Sequence, residues 1–531
     1  MQISGVSLIA GRAAEKTGPQ FSALNPATGE AVGPAFFSAS EQEVAQALQA
    51  AQMAFLTWRK SSGAERARLL HTIADRLDAA AGELTARAQL ETALPEARLK
   101  GETQRTSNQL RLFARVAEEG SWVEARIDPA VPDRKPLPRP GLRSMLQPLG
   151  PVVVFGASNF PLAFSVAGGD TASALAAGCP VVVKAHPAHP GTSELAGRIV
   201  SESIKSRGAP DGLFSLLFDS GFEVGKALVE HPLIQAVAFT GSRRGGRALM
   251  DLAARRPNPI PCFAEMGSTN PIFVLPGALA TRATEIASGL HGSFTLGAGQ
   301  FCTKPGMIFV PHLQQTEGLL AELRRLTRQS AGFTLLTPAI AANYRRAIQE
   351  RAHLCGEKTD SAAQTTSLCG AAAALLETDL KNFLQQPDLG EEVFGPATLL
   401  IRCGSREAML RAAESLDGHL TATLLGTEED LAASADLIAV LERKAGRVLF
   451  NGYPTGVEVC DAMVHGGPYP ASSDSRFTSV GTRAILRFAR PVCYQGFPQA
   501  SLPEELRDEN PRGILRMVDG VATRDALKAS E

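Results

Sequence analysis

The chain has 531 residues and a mass of 56.0 kDa, more than one hydrophobic core usually holds, so two or three domains are expected. Hydrophobic residues make up 44% and charged residues 20%, and the formal net charge is −1. This composition is typical of a globular protein in water. The near-neutral charge argues against nucleic acid or an acidic membrane as a partner.

The cysteines and the apolar segments indicate the compartment. Eight cysteines are scattered without a CxxC pair, which argues against a zinc ribbon or a disulfide framework, and we predict no metal site. The N-terminal residues lack the basic region of a signal peptide. The most apolar long window, near residues 161–183, is interrupted by Asp170 and several glycines and does not predict a membrane span. We therefore expect a cytoplasmic protein.

The first predicted elements are helices between residues 40 and 118, where apolar residues recur at three- and four-residue intervals. Ser40 begins the sequence SEQE, which has the form of a capping box. Residues 125–150 are rich in proline and basic side chains and predict an extended arm or linker.

From residue 151 onward the chain alternates short apolar strands with helices. PVVVF, PVVVK, LFSLL and QAVAF are followed, between about residues 262 and 465, by NPIFVL, GMIFV, PATLLI, LTATLL and GRVLF. This alternation predicts βαβ units and parallel sheets of the nucleotide-binding type. The end of the chain, 499–531, is polar with an amphipathic stretch, and we expect it to pack on the surface.

Polar motifs follow three of the predicted strands. FTGSRRGG joins a strand to a helix, so its Gly241, Ser242 and Gly246 are candidates for an anion site, although Ser242 is equally suited to be a plain N-cap. GASNFP carries Asn159 and AEMGSTNP carries Glu265, each just after a strand. Ligands of α/β proteins bind at the carboxyl ends of strands.

Cys302 lies in GQFCTKPG, after a run of glycines. A single cysteine is more often a buried apolar residue, but glycines permit close approach of the backbone to a ligand. A nucleophilic thiolate would also need an oxyanion donor and a group that activates water.

Five motifs resemble the aldehyde dehydrogenase superfamily in order and spacing: the segment from GASNFP to GTSE, FTGSRRGG, AEMGSTNP, GQFCTKPG and EEVFGPA. The resemblance covers about residues 20–500. It implies an aldehyde dehydrogenase-like α/β fold with two doubly wound parallel-sheet domains and a small β oligomerisation arm. The implied boundaries are 1–125 and 148–262 for the cofactor domain, 263–465 for the catalytic domain, 126–147 and 466–498 for the arm and linking segments, and 499–531 for a C-terminal tail.

The resemblance also implies the chemistry. Cys302 would be the nucleophile, and Asn159 with the Cys302 backbone N–H would form the oxyanion hole. Glu265 would activate water, so the product would be a free acid rather than a coenzyme A thioester. The glycines near Cys302 are then expected to leave room for a nicotinamide ring and an acyl thioester.

The same resemblance implies cofactor contacts: Lys184 would bond the adenosine ribose and Glu392 the nicotinamide ribose, with Phe394 beside the ring and Ser242 capping the pyrophosphate helix. NAD-preferring members usually carry a glutamate three residues after the lysine, where this chain has Pro187. Phe222, at the position of an arginine in NADP-preferring relatives, cannot donate a hydrogen bond. With Lys184 and His186 as the remaining phosphate partners, the sequence favours NADP, with NAD also used.

KAHPAHPGTSE, NGYPTGVEV and HGGPYPASSDSR resemble the branch with α-ketoglutarate semialdehyde dehydrogenases and a bacterial fatty aldehyde dehydrogenase. The leading prediction is oxidation of α-ketoglutarate semialdehyde to 2-oxoglutarate, and two alternatives remain open. The first activity would use Arg105, Arg111 or Arg476 to bind the substrate's carboxylate, whereas the second would use Phe160 and Phe301 to line an apolar tunnel. A non-catalytic binding or structural protein is the third.

The proline-rich arm and TRAILRFARPVCYQGF resemble the family's oligomerisation elements. An exposed strand edge on the arm would be covered by pairing with another subunit. We therefore expect a homodimer or a homotetramer.

Overall fold

The computed structural model describes residues 2–356, 359–362 and 367–527. Among these residues, no helix is long and apolar enough to cross a membrane. All eight cysteines are free thiols.

The N-terminal part consists of two short β-hairpins and four helices. In order they are β1 (Leu8–Ile9), β2 (Arg12–Ala13), β3 (Gln20–Leu24), β4 (Ala31–Phe37), α1 (Glu41–Trp58), α2 (Gly63–Ala79), α3 (Ala81–Thr92) and α4 (Glu96–Glu119). The capping box predicted at Ser40 is confirmed, because its side chain accepts from the Glu43 N–H while the Glu43 carboxylate accepts from the Ser40 N–H. Ser62 and Glu65 form the same box at the start of α2.

The region that follows supplies five strands of the first large sheet and two strands of a third sheet. The elements are β5 (Arg126–Asp128), β6 (Leu142–Pro148), β7 (Val152–Phe155), α5 (Gly169–Ala177), β8 (Val181–Lys184), α6 (Pro190–Ser206), β9 (Phe214–Leu217), α7 (Glu223–Glu230), β10 (Ala236–Thr240), α8 (Arg243–Arg255) and β11 (Cys262–Glu265). The strand order is β11-β10-β7-β8-β9-β1-β2, and the five strands from β11 to β9 run parallel. Strands β7, β8 and β9 are buried almost throughout, as expected for a parallel sheet with helices on both faces.

The order of this sheet reverses at β7. Strands β8 and β9 extend it on one side, whereas β10 and β11 extend it on the other. The connections after β7 and β10 therefore leave in opposite directions and open a crevice at the carboxyl edge, which is where ligands bind in doubly wound sheets.

The second large sheet follows in the chain. Its region contains β12 (Ile272–Val274), α9 (Pro276–Thr295), β13 (Met307–Pro311), α10 (Gln314–Gln329), β14 (Phe333–Thr334), α11 (Pro338–Leu354), β15 (Thr359–Ser361), β16 (Gly370–Ala371), β17 (Ala374–Asp379), α12 (Leu380–Gln385), β18 (Ala397–Cys403), α13 (Arg406–Ser415), β19 (His419–Leu425), α14 (Glu428–Ala432), α15 (Ala435–Lys444) and β20 (Ala445–Phe450). The order is β15-β17-β18-β13-β12-β19-β20, parallel except for β15. The α/β fold with two wound sheets is confirmed.

A third sheet forms the arm. It adds β21 (Ala489–Gln495), β22 (Arg516–Val518) and β23 (Val521–Thr523) in the order β21-β6-β5-β22-β23. The boundary predicted at residue 499 is therefore wrong, because β22 and β23 of the tail complete the sheet of the arm. Proline at 503 and at 511 interrupts the amphipathic stretch, and its apolar residues instead form a small core with the arm, in which Leu506 and Ile514 are fully buried.

Candidate active site

Three connections meet at the carboxyl edge of the first sheet. The loop after β7 carries Asn159, the turn after β10 carries Gly241 and Ser242, and β11 ends at Glu265. Thr240 and Glu265 lie opposite each other in the register of β10 and β11. The parallel strands thus bring together motifs that are far apart in sequence.

These connections line a cavity of about 800 Å³ together with residues from the region that forms the second sheet. Eight of the predicted site residues line it: Asn159, Phe160, Gly241, Ser242, Glu265, Cys302, Glu392 and Phe394. Helix α11 supplies part of the opposite wall, including Tyr344 and Arg351. The cavity is therefore built from the carboxyl edge of the first sheet, the Cys302 loop, helix α11 and the segment before β18.

The loop before Cys302 is held in a left-handed conformation. Gly297, Ala298 and Gly299 have φ of 56°, 59° and 66°, which glycine adopts without steric cost. A Cβ on Gly299 would lie 2.1 Å from the Gly395 carbonyl oxygen, and one on Gly297 would lie 2.5 Å from Arg98 Nη1. The expectation that these glycines leave room for a ligand is therefore wrong for both, because the protein itself occupies the space.

Asn270 fixes the Cys302 segment from behind. Its Nδ2 donates to the carbonyl oxygens of Cys302 at 2.8 Å and of Lys304 at 3.0 Å, and its Oδ1 accepts from the Thr421 hydroxyl at 3.0 Å. Asn270 is fully buried. Asn270 belongs to the motif AEMGSTNP but was not predicted as a site residue. Its φ is positive, 46°, a value that asparagine tolerates better than most residues.

The Cys302 thiol is a weak acid in these surroundings. Burial raises the pKa of the thiol well above its ordinary value, and the charges of Glu265 and Glu392 raise that pKa further, whereas Arg105 lowers it. The thiol therefore needs a proton acceptor before it can act as a nucleophile.

Asn159 is oriented toward the Cys302 loop. The side-chain Nδ2 of Asn159 donates to the backbone carbonyl oxygen of Gln300 at 3.0 Å. The backbone carbonyl oxygen of Asn159 accepts from Arg98 Nη2 at 2.7 Å. The bond to Gln300 uses one of the two amide hydrogens, so the other can be donated to a ligand oxygen in the cavity.

Glu265 and His465 lie against Cys302. The Oε2 atom of Glu265 is buried and has no hydrogen bond among the described residues. It lies 3.6 Å from His465 Nε2, which lies 3.4 Å from Cys302 Sγ. His465 was not predicted as a site residue, although it is the first residue of the motif HGGPYPASSDSR.

The turn after β10 is suited to an anionic ligand. The Ser242 hydroxyl caps α8 by accepting from the Gly245 N–H at 3.2 Å. A Cβ on Gly241 would lie 2.6 Å from the Phe239 ring, and one on Gly246 would lie 2.6 Å from Met266 Sδ. Glycine thus allows the turn to pack closely, and the N-terminus of α8 opens on the cavity through Gly241 and Ser242.

Glu392 offers an unused acceptor. Its Oε1 is buried without a partner among the described residues, and a Cβ on Gly267 would lie 2.1 Å from its Oε2. Burial raises the pKa of Glu392 to about 7 and lowers that of Lys304 to about 8. An orphaned carboxylate oxygen beside a cavity fits a ligand that brings hydroxyl groups, such as a ribose.

Lys184 and His186 do not line the cavity. Lys184 Nζ donates to the Asp219 carbonyl oxygen at 3.2 Å, and burial lowers the pKa of Lys184. His186 Nδ1 accepts from the Ala188 N–H at 3.1 Å, and burial lowers the pKa of His186 well below its ordinary value. His186 is therefore neutral and a weaker partner for a phosphate than a cation would be.

The three predicted arginines are placed differently. Arg111 is bound to Asp75 and Asp78, at 2.7 Å each, and Arg476 is bound to Asp474 with its side chain 79% exposed. Neither lies at the cavity. Arg105 instead has its Nε and Nη2 buried without partners among the described residues, and its guanidinium lies 5.3 Å from the centre of the Phe164 ring, which lines the cavity.

Aromatic rings and a further arginine surround Asn159. Phe160 and Phe301 meet edge to face with centroids 5.3 Å apart, but of these two only Phe160 lines the cavity. Arg98 lies 5.1 Å from the first ring and 4.6 Å from the second, and it has two buried nitrogens without partners in the described chain. The wall is aromatic and also positively charged. No sequence motif pointed to Arg98, because it lies on α4, far from Asn159 in the chain.

Comparison with known proteins agrees with this geometry. Residues 13–473 match the family described as "Aldehyde dehydrogenase family". Alpha-ketoglutaric semialdehyde dehydrogenase 2 of Azospirillum brasilense is 51% identical over 529 residues, which are 98% of this chain and 100% of that protein. Alpha-ketoglutaric semialdehyde dehydrogenase of Acinetobacter baylyi is 46% identical over 524 residues, which are 98% of this chain and 99% of that protein.

The fold is shared with solved structures. The aldehyde dehydrogenase KauB from Pseudomonas aeruginosa has a TM-score of 0.80 at 22% identity, with 93% of this chain and 97% of that chain covered. The family match and the two relatives cover nearly the whole chain. The chain belongs to the aldehyde dehydrogenase family.

Proposed function

We propose that this protein oxidises α-ketoglutarate semialdehyde (2,5-dioxopentanoate) to 2-oxoglutarate with NAD(P), the cofactor of the aldehyde dehydrogenase family. The observation that carries the proposal is the meeting of Cys302, Glu265 and Asn159 at one buried cavity. Two relatives that match almost the entire chain bear the name of this activity, and they support this choice of substrate.

The mechanism follows from these three residues. The Cys302 sulfur adds to the aldehyde carbon and forms a thiohemiacetal, whose oxyanion accepts hydrogen bonds from Asn159 Nδ2 and the Cys302 N–H. Bound NAD(P) supplies the acceptor for the hydride that leaves this carbon. Glu265 then takes a proton from water, the water oxygen attacks the resulting thioester, and the C–S bond breaks to release the acid.

The cofactor would be held by residues around the same cavity. We assign the nicotinamide ribose to Glu392, with its orphaned oxygen, and the ring to the neighbourhood of Phe394. Gly241 and Ser242 at the start of α8 would bind the pyrophosphate, with Gly246 permitting the close packing of the helix. Lys184 would bond the adenosine ribose.

We propose that both NADP and NAD are used, with NADP preferred, because Pro187 places no carboxylate against a 2′-phosphate. Pro187→Glu should lower kcat/KM for NADP by about tenfold or more through charge repulsion, with little change for NAD. Pro187→Gln, which has the same length without the charge, is the matched control and should retain the ratio of the parent enzyme. An unchanged ratio in the glutamate variant would show that the 2′-position is recognised elsewhere.

For the terminal carboxylate of the substrate we propose Arg105. Two of its guanidinium nitrogens are buried without partners among the described residues, and its positive charge acts on Cys302. A buried guanidinium in this state is stabilised by a carboxylate that forms the missing hydrogen bonds. The aromatic wall of Phe160 and Phe164 favours a second candidate substrate, an aliphatic aldehyde of medium or long chain.

The test compares two five-carbon aldehydes, α-ketoglutarate semialdehyde and pentanal, by the absorbance of the reduced cofactor. We expect the semialdehyde to be the better substrate, and Arg105→Leu to raise its KM by about 10- to 100-fold, as expected for the loss of a charged hydrogen bond. Oxidation of pentanal should stay close to that of the wild type. Arg111→Leu, which removes an arginine bound elsewhere, is the control.

Two results would contradict the assignment. If no cofactor is reduced with the semialdehyde, but the rate of cofactor reduction increases with the chain length of an aliphatic aldehyde, the second candidate substrate is correct. If Arg105→Leu impairs both aldehydes equally, Arg105 supports the structure of the site rather than recognising the carboxylate.

A further inference from the structure

A histidine contacts two of the residues proposed to act in catalysis. His465 Nε2 lies 3.4 Å from Cys302 Sγ and 3.6 Å from Glu265 Oε2. One donor or acceptor atom from each of the three side chains lies within 4.8 Å of the others. His465 is 1% exposed and Glu265 is 4% exposed, so bulk water screens these contacts poorly.

The backbone of His465 is held on both sides. Its N–H donates to the Thr478 hydroxyl at 2.8 Å, and its carbonyl oxygen accepts from the Ser479 N–H at 2.8 Å and from the Ser479 hydroxyl at 3.0 Å. The Phe164 ring lies 6.3 Å from the imidazole, centre to centre. The imidazole is therefore fixed next to the sulfur before any substrate arrives.

Cys302 needs such a neighbour. The raised pKa of its thiol means that the proton must be transferred to a base close by. Glu265 is needed as a carboxylate when water is activated, so a proton taken from the thiol would first have to leave it. A second base next to the sulfur removes this conflict.

We propose that His465 is the base for the nucleophile: its Nε2 takes the proton of Cys302 Sγ while the sulfur adds to the aldehyde carbon. The S–H bond breaks as the N–H and S–C bonds form, and the π electrons of the carbonyl group move to its oxygen. When the thioester C–S bond later breaks, the imidazolium returns its proton to the sulfur. This inference rests on the proposed role of Cys302, but not on the identity of the aldehyde.

The charges around His465 are consistent with this transfer. The Glu265 carboxylate stabilises an imidazolium at 3.6 Å. Arg105, over the Phe164 ring, opposes a positive charge on His465 but favours the thiolate. On another side, Arg487 is neutralised by its ion pair with Asp170 at 2.7 Å.

The test measures the rate at which iodoacetamide alkylates Cys302 in the full-length protein across a range of pH, with the Cys302 peptide quantified by mass spectrometry. In the wild type we expect substantial alkylation at neutral pH, because His465 takes the thiol proton while the sulfur attacks the reagent. His465→Gln should raise the apparent pKa of the reaction by at least about one unit, so the rate at pH 7 should fall about tenfold or more. The kcat/KM for aldehyde should fall by about 10- to 100-fold.

Three controls make the outcome specific. His71→Gln removes an exposed histidine and should leave the pH profile unchanged. Cofactor affinity and Tm of His465→Gln and of a second variant, His465→Phe, should remain near those of the wild type if the fold is intact. Glu265→Gln should slow hydrolysis but shift the alkylation profile of Cys302 less than His465→Gln does.

An unchanged alkylation profile in both His465 variants would overturn the proposal. A large shift in Glu265→Gln alone would identify Glu265 as the base for the thiol. Failure of the enzyme to oxidise the semialdehyde would not affect the alkylation result, so the two proposals can fail separately.

Discussion

The buried carboxylate of Glu392 links cofactor binding to pH. Burial raises its pKa to about 7, so the carboxylate becomes protonated as the pH falls through this value and loses an acceptor for ribose hydroxyl groups. The affinity for NAD should therefore weaken by up to about tenfold from pH 8 to pH 6, since one pKa unit corresponds to a tenfold change in the ionised fraction. Fluorescence titration of the apoenzyme with NAD at each pH measures this affinity.

The pH dependence of the NAD affinity should disappear in Glu392→Gln, because this side chain cannot ionise. The variant should bind NAD weakly at every pH. Glu391→Gln removes the exposed neighbouring carboxylate and should retain the wild-type slope. A wild-type affinity that is constant between pH 6 and pH 8 would contradict a role for the ionised Glu392.

Glu265 separates the two halves of the reaction. Because Glu265→Gln cannot take a proton from water, we expect one reduced cofactor per active site in a rapid first turnover, followed by a steady-state rate lower by about 10²- to 10⁴-fold. Stopped-flow absorbance measures the burst, and mass spectrometry of the quenched protein should show the acyl group on Cys302. Cys302→Ser should produce no burst. A variant with a normal steady-state rate would assign the base to another residue.

The sequence predicts proposed site residues best where polar motifs follow strands. Asn159 follows β7 and Glu265 ends β11, and parallel strands bring these two carboxyl ends to one edge. Cys302 instead stands in a glycine-containing loop before β13, where its residue type indicates chemistry. Arg98 and His465 could not be placed in this way. They belong to a long helix and to the segment after β20, and only tertiary packing decides which of their neighbours lie at the cavity.

The segment that follows β8 depends on a carboxylate from another helix. Glu91 of α3 is fully buried and accepts from the N–H groups of Gly191 and Thr192 at the start of α6, each at 2.8 Å. The preceding residue His189 makes no side-chain cap, so Glu91 satisfies donors that the helix cannot satisfy itself. Because α6 follows Lys184 closely, this contact also positions the proposed adenosine site.

Glu91→Ala should destabilise the protein by about 2–4 kcal/mol, since it leaves buried N–H groups without acceptors and the partly buried Arg87 without its partner. We expect a lower Tm and faster proteolysis near residue 190. Glu118→Ala removes an exposed glutamate from the end of α4 and should change Tm little. Equal Tm values for the two variants would show that water can replace the Glu91 contacts.

Local sequence patterns predict the strands of the two large sheets better than they predict the strands of the tail. Every apolar run quoted from residue 151 onward contributes a strand, because a buried parallel strand needs only a short run of β-branched or large apolar residues. In the tail the apolar residues are interrupted by polar ones and do not form such a run. Its strands form because β5 offers an edge, with Met517 opposite Arg126, and that edge is not encoded within the tail.

The three sheets leave strand edges open among the described residues. Strand β21 pairs with β6 on one side only, and β20 pairs only with β19. Val448 and Phe450 on β20 are each 38% exposed. An open strand edge with apolar residues is a template for pairing with another chain, which favours the oligomer that the arm predicts.

The direction of the hydrogen bonds on β21 allows a specific test of this oligomer. The Gly496 N–H donates to the Gly141 carbonyl oxygen on the side of β6. In an antiparallel pair the donors alternate, so the N–H groups of residues 490, 492 and 494 also face β6, whereas that of Cys493 faces outward. Pro491, which has no N–H, occupies an outward position, as proline does on edge strands.

Cys493→Pro should therefore remove an outward donor without breaking the pairing with β6. Light scattering after gel filtration should give the wild type a mass of at least twice 56.0 kDa and give the variant a smaller mass or a weaker, concentration-dependent association. Cys493→Ser changes the side chain but keeps the N–H, and it should assemble like the wild type. A wild-type mass equal to that of one chain would refute the predicted oligomer, and full assembly of the proline variant would show that the subunits meet at another surface.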